Sequence, residues 1–98
     1  MPRDYGSASQ LEIIRQLVVY YTYILQSEQD PERFYIGYTD DLKRRLAEHN
    51  AGKCSHTSKY GPWMIKSYFA FQRKETAQKF EGYLKTGSGR EFARRHFD

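Results

Sequence analysis

The sequence predicts a small α+β (mixed α/β) domain in which helices flank a three-stranded antiparallel sheet. Residues 18–25, 34–36 and 63–71 are rich in β-branched and aromatic side chains, which is the composition of strands. Apolar residues at helical spacing follow the second and third of these segments. The short polar connection at residues 27–33 favours an antiparallel hairpin, because a parallel pair needs a longer crossover.

The N-terminal 17 residues are predicted to form an extension outside this domain, which runs over residues 18–98. Ser9 and Glu12 have the spacing of a capping box, so a short helix is predicted over residues 10–16. The first strand follows directly. It shows no alternation of polar and apolar residues, as expected for a strand that is covered on both faces.

A helix is predicted between the second and third strands. Asp40 or Thr39 is expected to cap a helix over residues 41–50, with acidic residues in its first turn, where they suit the helix dipole. Gly52 lies where such a helix would stop.

Two helices are predicted after the third strand. The first covers residues 74–85 and is ended by Gly87. Ser88 and Glu91 then have the spacing of another capping box, which predicts a last helix toward His96.

Composition and charge narrow the class of protein. Sixteen Lys and Arg against twelve Asp and Glu give a net charge of +4, a mild preference for polyanions such as nucleic acid. Cys54 is the single cysteine, so an internal disulfide is excluded and a reducing compartment is expected. Cys54 and His56 resemble half of a zinc site, but no second cluster supplies the other ligands. Neither a signal-peptide core nor a membrane-spanning run is present, which predicts a cytoplasmic protein.

A charged residue lies in the apolar stripe of each of two predicted helices. Leu42, Arg45, Leu46 and His49 share one face at helical spacing, and the neighbouring Glu48 points elsewhere as solvated surface. In the second helix the stripe contains Glu81, between Ala77, Phe80 and Leu84.

Because a buried unpaired charge costs several kcal/mol, two arrangements are open. Arg45 and Glu81 form a salt bridge with each other, or reach the rim of the sheet. Alternatively they line a cleft in which the arginine meets a phosphate and the carboxylate holds a metal ion, as phosphate chemistry requires.

Tyrosines and a glycine occupy the hairpin. Tyr23 and Tyr35 lie on neighbouring strands, so both phenols can reach one end or face of the sheet. For a single strand tyrosine, packing is the commoner role. Gly37 permits a bulge or a close approach of the backbone to another group.

These features together resemble the GIY-YIG nuclease superfamily. The second family tripeptide is intact at residues 35–37, and the first is degenerate at residues 21–23, where only the final tyrosine is kept. Arg45 follows Tyr35 by ten positions, and Glu81 lies within FEGYLKTGSGRE. The blocks YIGYTDDLKRRLAEHNAGK, HTSKYGPW and EGYLKTGSGRE resemble the short stand-alone branch related to the nuclease module of bacterial excision repair.

The resemblance implies a GIY-YIG fold over residues 18–98 and metal-dependent hydrolysis of a DNA phosphodiester. It implies that Arg45 stabilises the transition state and that Glu81 binds a single Mg²⁺ or Mn²⁺ ion. Tyr23 or Tyr35 would orient or deprotonate the attacking water, and His49 would assist proton transfer. Tyr38 stands where excision-repair members place a lysine, which leaves the general base unassigned.

DNA is the expected substrate, in repair or recombination and with a branched or damaged structure as the target; a separate targeting protein is a further expected partner. Basic and aromatic residues outside the motifs are expected to contact DNA with little sequence preference. They are Tyr38, Lys53, His56, Lys59, Tyr60 and Arg90. The competing hypotheses are a DNA- or protein-binding module of the same fold with little activity alone, and an interaction domain held by an Arg45–Glu81 salt bridge.

Overall fold

Three antiparallel strands form the sheet, as predicted. The computed structural model describes residues 18–98, so the helix predicted over residues 10–16 lies outside the described part. The strands are β1 (Tyr20–Ser27), β2 (Phe34–Thr39) and β3 (Trp63–Phe71), and their order in the sheet is β2-β1-β3. Both pairings with β1 are antiparallel, which confirms the predicted hairpin.

Helices cover both faces of the sheet. They are α1 (Leu42–Asn50), α2 (Lys74–Leu84) and α3 (Gly87–Phe97). On one face α1 packs against a core of Tyr23, Leu25 and Trp63 through its two leucines. On the other face Thr22 donates a hydrogen bond to the Ala77 carbonyl of α2 at 2.7 Å. No helix within residues 18–98 is long and apolar enough to cross a bilayer.

Aromatic side chains build the second layer. The ring of Phe69 lies 4.9 Å from that of Phe80 on α2 and 5.2 Å from that of Phe97 on α3. Coverage on both sides explains why residues 22–25 of β1 are all buried and why that strand shows no alternation.

Helix α1 is fixed at both ends. Its N-cap is Asp41, whose carboxylate accepts the Arg44 backbone N–H at 3.0 Å. The predicted caps Asp40 and Thr39 are wrong, as are the acidic residues expected in the first turn. The Thr39 hydroxyl instead accepts the Asp41 N–H at 3.1 Å. This bond holds the turn between the end of β2 and the N-cap of α1.

The C-terminal end of α1 agrees with the prediction. Gly52 has φ +74°, the left-handed conformation that favours glycine. Its N–H bonds the His49 carbonyl at 3.2 Å, and the Lys53 N–H bonds that of Glu48 at 3.1 Å. This pair of bonds is a Schellman motif, which ends the helix after Asn50.

The junction of α2 and α3 is tighter than predicted. Helix α2 ends at Leu84, one residue before the predicted end, and Gly87, predicted to stop this helix, is the first residue of α3. Thr86, not Ser88, is the N-cap, and its hydroxyl accepts the Gly89 N–H at 3.1 Å. The same hydroxyl donates to the Tyr83 carbonyl at 2.6 Å. One threonine therefore bonds backbone groups of both helices and keeps the connection between them short.

Strand β3 contains a bulge. Ile24 pairs with Ser67, but the next residue, Leu25, pairs with Ile65, so Lys66 is one extra residue on β3. An extra residue reverses the alternation of side chains beyond it. Ile65 and Tyr68, three positions apart, consequently lie on the same face of the sheet.

We predict that Gly89→Ala lowers the free energy of unfolding by about 3 kcal/mol, because overpacking against rigid backbone cannot be relieved by a rotamer change. A Cβ at this position would fall on the carbonyl of Tyr83 and the Cα of Leu84. Gly82→Ala on α2 is the matched control. Nothing lies within 4 Å of its added Cβ, and this variant is expected to gain up to about 1 kcal/mol from helix propensity. Urea unfolding of both variants tests this, and equal stabilities would contradict it.

Candidate active site

The centre of the candidate site is a buried hydrogen bond between a strand tyrosine and a helix histidine. Tyr23 Oη lies 2.9 Å from His49 Nε2. Each of the two residues is 1% exposed. The helical stripe thus carries His49 into the core between α1 and β1, on the face that its spacing predicted.

A threonine completes this hydrogen-bond chain. His49 Nδ1 lies 2.8 Å from the Thr57 hydroxyl, and that hydroxyl donates to the Cys54 carbonyl at 3.3 Å. Because the hydroxyl has a single proton, it accepts from His49 Nδ1–H. The neutral imidazole then has its lone pair on Nε2, where it accepts the proton of the Tyr23 phenol.

Burial fixes the protonation states along the chain. It raises the pKa of Tyr23 to about 12, and the Arg45 guanidinium opposes that rise only in part. Burial also lowers the pKa of His49, and the charge of Arg45 lowers it further. At neutral pH the pair is a phenol donating to a neutral imidazole.

Gly37 makes room for Tyr23. The two residues are direct partners in the β1–β2 register. A Cβ at Gly37 would lie 2.5 Å from Tyr23 Oη. The glycine of the YIG tripeptide therefore permits the close approach expected there, and the approaching group is the ring of Tyr23.

Tyr35 lies at the open side of the same cluster. Its ring centroid is 4.9 Å from that of His49 and 6.4 Å from that of Tyr23. In contrast to Tyr23, it is only half-buried. Burial raises the pKa of Tyr35, while the charges of Lys85 and Arg45 act in the opposite direction.

Arg45 lies at the rim of the cluster. Its guanidinium adjoins Tyr23 in a small gap between α1 and the sheet, and its side chain is 33% exposed. It forms an ion pair with Glu48 at 3.0 Å, so Glu48 is not the independent solvated residue that the helical pattern predicted. The hydrogen bond to Glu48, and next the adjoining Tyr23 hydroxyl, raise the pKa of Arg45.

Glu81 is held by a different partner. Its carboxylate pairs with Lys85 at 3.0 Å and is 20% exposed. Within residues 18–98 the two stripe charges thus have separate partners, and the salt bridge between Arg45 and Glu81 is wrong.

A groove of about 640 Å³ lies along the edge of the sheet between β2 and the helices α2 and α3. Tyr35 and Lys85 both line it, beside Ile36 and Leu84. Arg90 on α3 lies at the same groove. The groove thus places Lys85, the ion-pair partner of Glu81, beside Tyr35, whereas Glu81 and Arg45 are not among its lining residues.

Mg²⁺ and Zn²⁺ differ in the number of protein ligands that they need. In the described part of the chain no three His, Cys, Asp or Glu side chains lie close enough to hold a metal by themselves, so Cys54 and His56 have no third such ligand there. Mg²⁺ commonly uses one or two carboxylates and completes its shell with water and substrate phosphates. Glu81 alone satisfies that requirement.

The residues predicted to bind DNA are distributed over three surfaces. Lys53, His56 and Lys59 are exposed on the loop after α1, as expected. Tyr60 is half-buried on this loop, with the Arg33 guanidinium 4.1 Å above its ring. Arg90 lies at the groove. Tyr38 pairs with Thr22, whose side chain points to α2, so Tyr38 lies on the opposite face from Tyr35.

The functional residue that sequence reasoning missed is Thr57. It is fully buried, and its carbonyl accepts the indole N–H of Trp63 at 2.8 Å. Its neighbours His56 and Lys59 are polar, so the loop pattern gave it no special weight. A small hydroxyl residue eight positions after His49 was the available signal.

Comparison with known proteins identifies the family. The GIY-YIG catalytic domain matches residues 19–95, nearly the whole described chain. This chain belongs to the GIY-YIG family. The membership confirms the predicted resemblance and assigns the chain to a family of nuclease domains.

Relatives differ in length from this GIY-YIG protein. It is 41% identical over 71 residues to a structure-specific endonuclease subunit SLX1 homolog of Giardia intestinalis, covering 68% of this chain and 20% of that protein. It is 40% identical over 91 residues to SLX1 of Scheffersomyces stipitis, covering 83% of this chain and 27% of that protein. The chain thus spans about a quarter or less of these relatives.

Shorter relatives also match. A UPF0213 protein of Streptococcus pyogenes serotype M5 is 41% identical over 66 residues, covering 66% of this chain and 70% of that protein. The solution NMR structure of a UPF0213 protein from Bacillus halodurans matches with a TM-score of 0.47 and 33% identity. That match covers 79% of this chain and 81% of the other.

We predict that the free energy of unfolding falls as the pH is lowered from 7 to 5. The unfolded histidine binds a proton near pH 6.5, whereas the lowered pKa of His49 keeps the folded form neutral. The unfolded state then binds more protons, so stability rises with pH in this window. His49→Gln should reduce that slope in urea unfolding, and the control His56→Gln, an exposed histidine, should not. Identical slopes in all three proteins would contradict the prediction.

Proposed function

We propose that this protein is a metal-dependent DNA endonuclease that hydrolyses phosphodiester bonds. One observation carries the proposal. Two accessible groups, Tyr35 and Arg45, lie against a buried tyrosine that is itself held by a hydrogen bond. Both adjoin Tyr23, which is fixed through His49. A cation and a phenol on one rigid face are what in-line attack on a phosphate needs.

Arg45 is the residue that stabilises the negative charge that develops on the phosphoryl oxygens. Its present partner, Glu48, is on the same helix, and both side chains are one-third exposed. An exposed pair of this kind contributes about 1 kcal/mol or less, so a phosphate can replace the carboxylate at little cost.

Tyr35 is the residue that orients the attacking water and, as phenolate, accepts its proton. Burial makes Tyr23 the less suitable of the two tyrosines for this role, since it is 1% exposed and its proton is directed at His49. Tyr23 and His49 are positioning residues that hold the ring of Tyr35. The positive charges of Arg45 and Lys85 favour the phenolate.

Glu81 is the ligand for a single Mg²⁺ or Mn²⁺ ion. An ion held by Glu81 would supply Lewis-acid polarisation of the phosphoryl group and would neutralise charge on the leaving oxygen. Lys85 holds the carboxylate in place and lines the same groove as Tyr35.

The substrate class is DNA with a branched or damaged structure, in repair or recombination. Two relatives are named structure-specific endonuclease subunits, which supports this choice and also a protein partner that delivers the domain. In this proposal residues 18–98 are the catalytic domain, residues 1–17 are an extension, and the protein is cytoplasmic.

The ion pair between Glu81 and Lys85 favours one alternative function. A carboxylate already neutralised by Lys85 at 3.0 Å is a weaker metal ligand. A binding module that retains DNA but cuts poorly without a partner is therefore the second candidate. DNA binding without Mg²⁺-dependent cleavage across a panel of branched substrates would favour it.

We expect Arg45→Ala to reduce cleavage by about 10³-fold, a typical loss for an arginine that stabilises phosphoryl charge. The measurement is nicking of labelled flap, fork and duplex DNA with Mg²⁺, Mn²⁺ or EDTA. Glu81→Gln should abolish the response to metal. Arg44→Ala and Glu75→Gln are the matched controls, since both residues are exposed on the same two helices. Parent-like cutting by Arg45→Ala and Glu81→Gln would refute the assignment.

We expect Tyr35→Phe to lower the cleavage rate and Tyr23→Phe to lower the free energy of unfolding. Tyr35→Phe removes the group that meets water, so the cleavage rate should fall at least about 10²-fold with stability unchanged. The parent rate should rise with pH from 6 to 9, because the raised pKa leaves little phenolate, and Tyr35→Phe should lose that rise. Tyr23→Phe leaves His49 Nε2 unsatisfied and should cost about 1–3 kcal/mol in urea unfolding. The reverse pattern would exchange the two roles.

A further inference from the structure

An exposed pair of tyrosines adjoins the candidate active site. Tyr68 on β3 is the direct partner of Tyr23 in the sheet, yet it is 57% exposed. The ring of Tyr21 supports it edge to face, with centroids 6.0 Å apart and planes at 65°. Edge-to-face contact stabilises an aromatic pair by about 1 kcal/mol. Because more than half of Tyr68 is exposed beside this contact, its ring offers surface to a further ring.

The bulge at Lys66 places Tyr68 on this face. Without the extra residue, strict alternation from Ile65 would turn Tyr68 toward α2 and α3. Instead Phe69 takes that side and packs on Phe80. Bulges of this kind often re-aim a side chain next to a functional site. Here the re-aimed side chain is an aromatic residue exposed to solvent.

Tyr68 and Arg45 flank the same residue. Tyr23 has Gly37 on one side and Tyr68 on the other, at the spacing of neighbouring strands, about 4.8 Å. The Arg45 guanidinium adjoins Tyr23 from the helix. A phosphate held by Arg45 therefore brings a base of the same strand within reach of the Tyr68 ring.

We propose that Tyr68, supported by Tyr21, is a stacking site for the base of an unpaired nucleotide next to the phosphate at Arg45. The proposal rests on the proposed function and names the part of the substrate that this face binds. A base within a duplex is already stacked on both sides, so only an unpaired base offers its ring. Every base has such a ring, so the site selects DNA structure rather than sequence.

The test is binding of flap DNA to the full chain in EDTA, measured by fluorescence anisotropy. Tyr68→Leu is expected to weaken binding about 5- to 150-fold, the effect of losing one stacked base, and Tyr68→Phe to bind like the parent. A single abasic nucleotide is then moved through the unpaired strand of the flap. At one position the abasic nucleotide should weaken binding to the parent protein as much as Tyr68→Leu does. At that same position it should not weaken binding to the Tyr68→Leu variant any further.

Met64→Leu is the control, because Met64 is an exposed residue of the same strand, 45% exposed, that pairs with Gln26 on the opposite face. Parent-like binding by Tyr68→Leu would overturn the stacking site. So would independent, additive losses from the abasic nucleotide and Tyr68→Leu at every position. Since binding is measured without metal, it is separate from cleavage. If the abasic nucleotide and Tyr68→Leu have non-additive effects on binding but no DNA is cut, only the endonuclease proposal is overturned. If DNA is cut but the two effects are additive, only the stacking site is overturned.

Discussion

The hydrogen bonds from Tyr23 through His49 to Thr57 connect the three parts of the protein that form the candidate site. Tyr23 belongs to the central strand, His49 to α1 and Thr57 to the loop that follows it. Each bond satisfies a polar atom that is out of reach of water. Removal of one partner leaves the next group unsatisfied, at a cost of about 1–3 kcal/mol. The strand, helix and loop are therefore held rigidly relative to one another. The backbones of the exposed residues on these elements are held in place with them.

Helix α1 fixes the position of the Arg45 backbone relative to Tyr23. Asp41 caps its first turn, and the Schellman motif at Gly52 closes its last. The side chain of Asn50 brackets the backbone of Trp63 with bonds of 2.6 and 3.0 Å. With both ends and one face fixed, the remaining freedom lies in the Arg45 side chain itself. Its ion pair with Glu48 restrains it on the side of the helix that faces Tyr23.

Periodicity predicted much of this arrangement, because burial imposes it directly. The stripe of Leu42, Arg45, Leu46 and His49 and the two-sided β1 follow from which side chains avoid water. Features that depend on a single local hydrogen bond were not predictable. Thr86 rather than Ser88 caps α3, since its hydroxyl also reaches the carbonyl of Tyr83.

The same distinction explains the site residues. The apolar stripes singled out Arg45 and Glu81, the hairpin singled out Tyr35, and the resemblance to a family supplied their expected roles. The partners that hold two of them, Glu48 and Lys85, depend on rotamers that a pattern of residue types does not fix. Thr57 was missed because a threonine in a polar loop has no periodic signature. Tyr68 was missed because strict alternation ignores the bulge at Lys66.

Unequal element lengths explain why one face of the sheet is both core and site. Helix α1 has nine residues and is about 13 Å long, whereas the nine residues of β3 extend about 30 Å. The helix covers the end of the sheet that contains Leu25 and Trp63 and stops short of Tyr21 and Tyr68. On the opposite face two helices of eleven residues each share the coverage. The open part of the sheet therefore begins where α1 begins, next to Arg45, which is where a phosphate would need to enter.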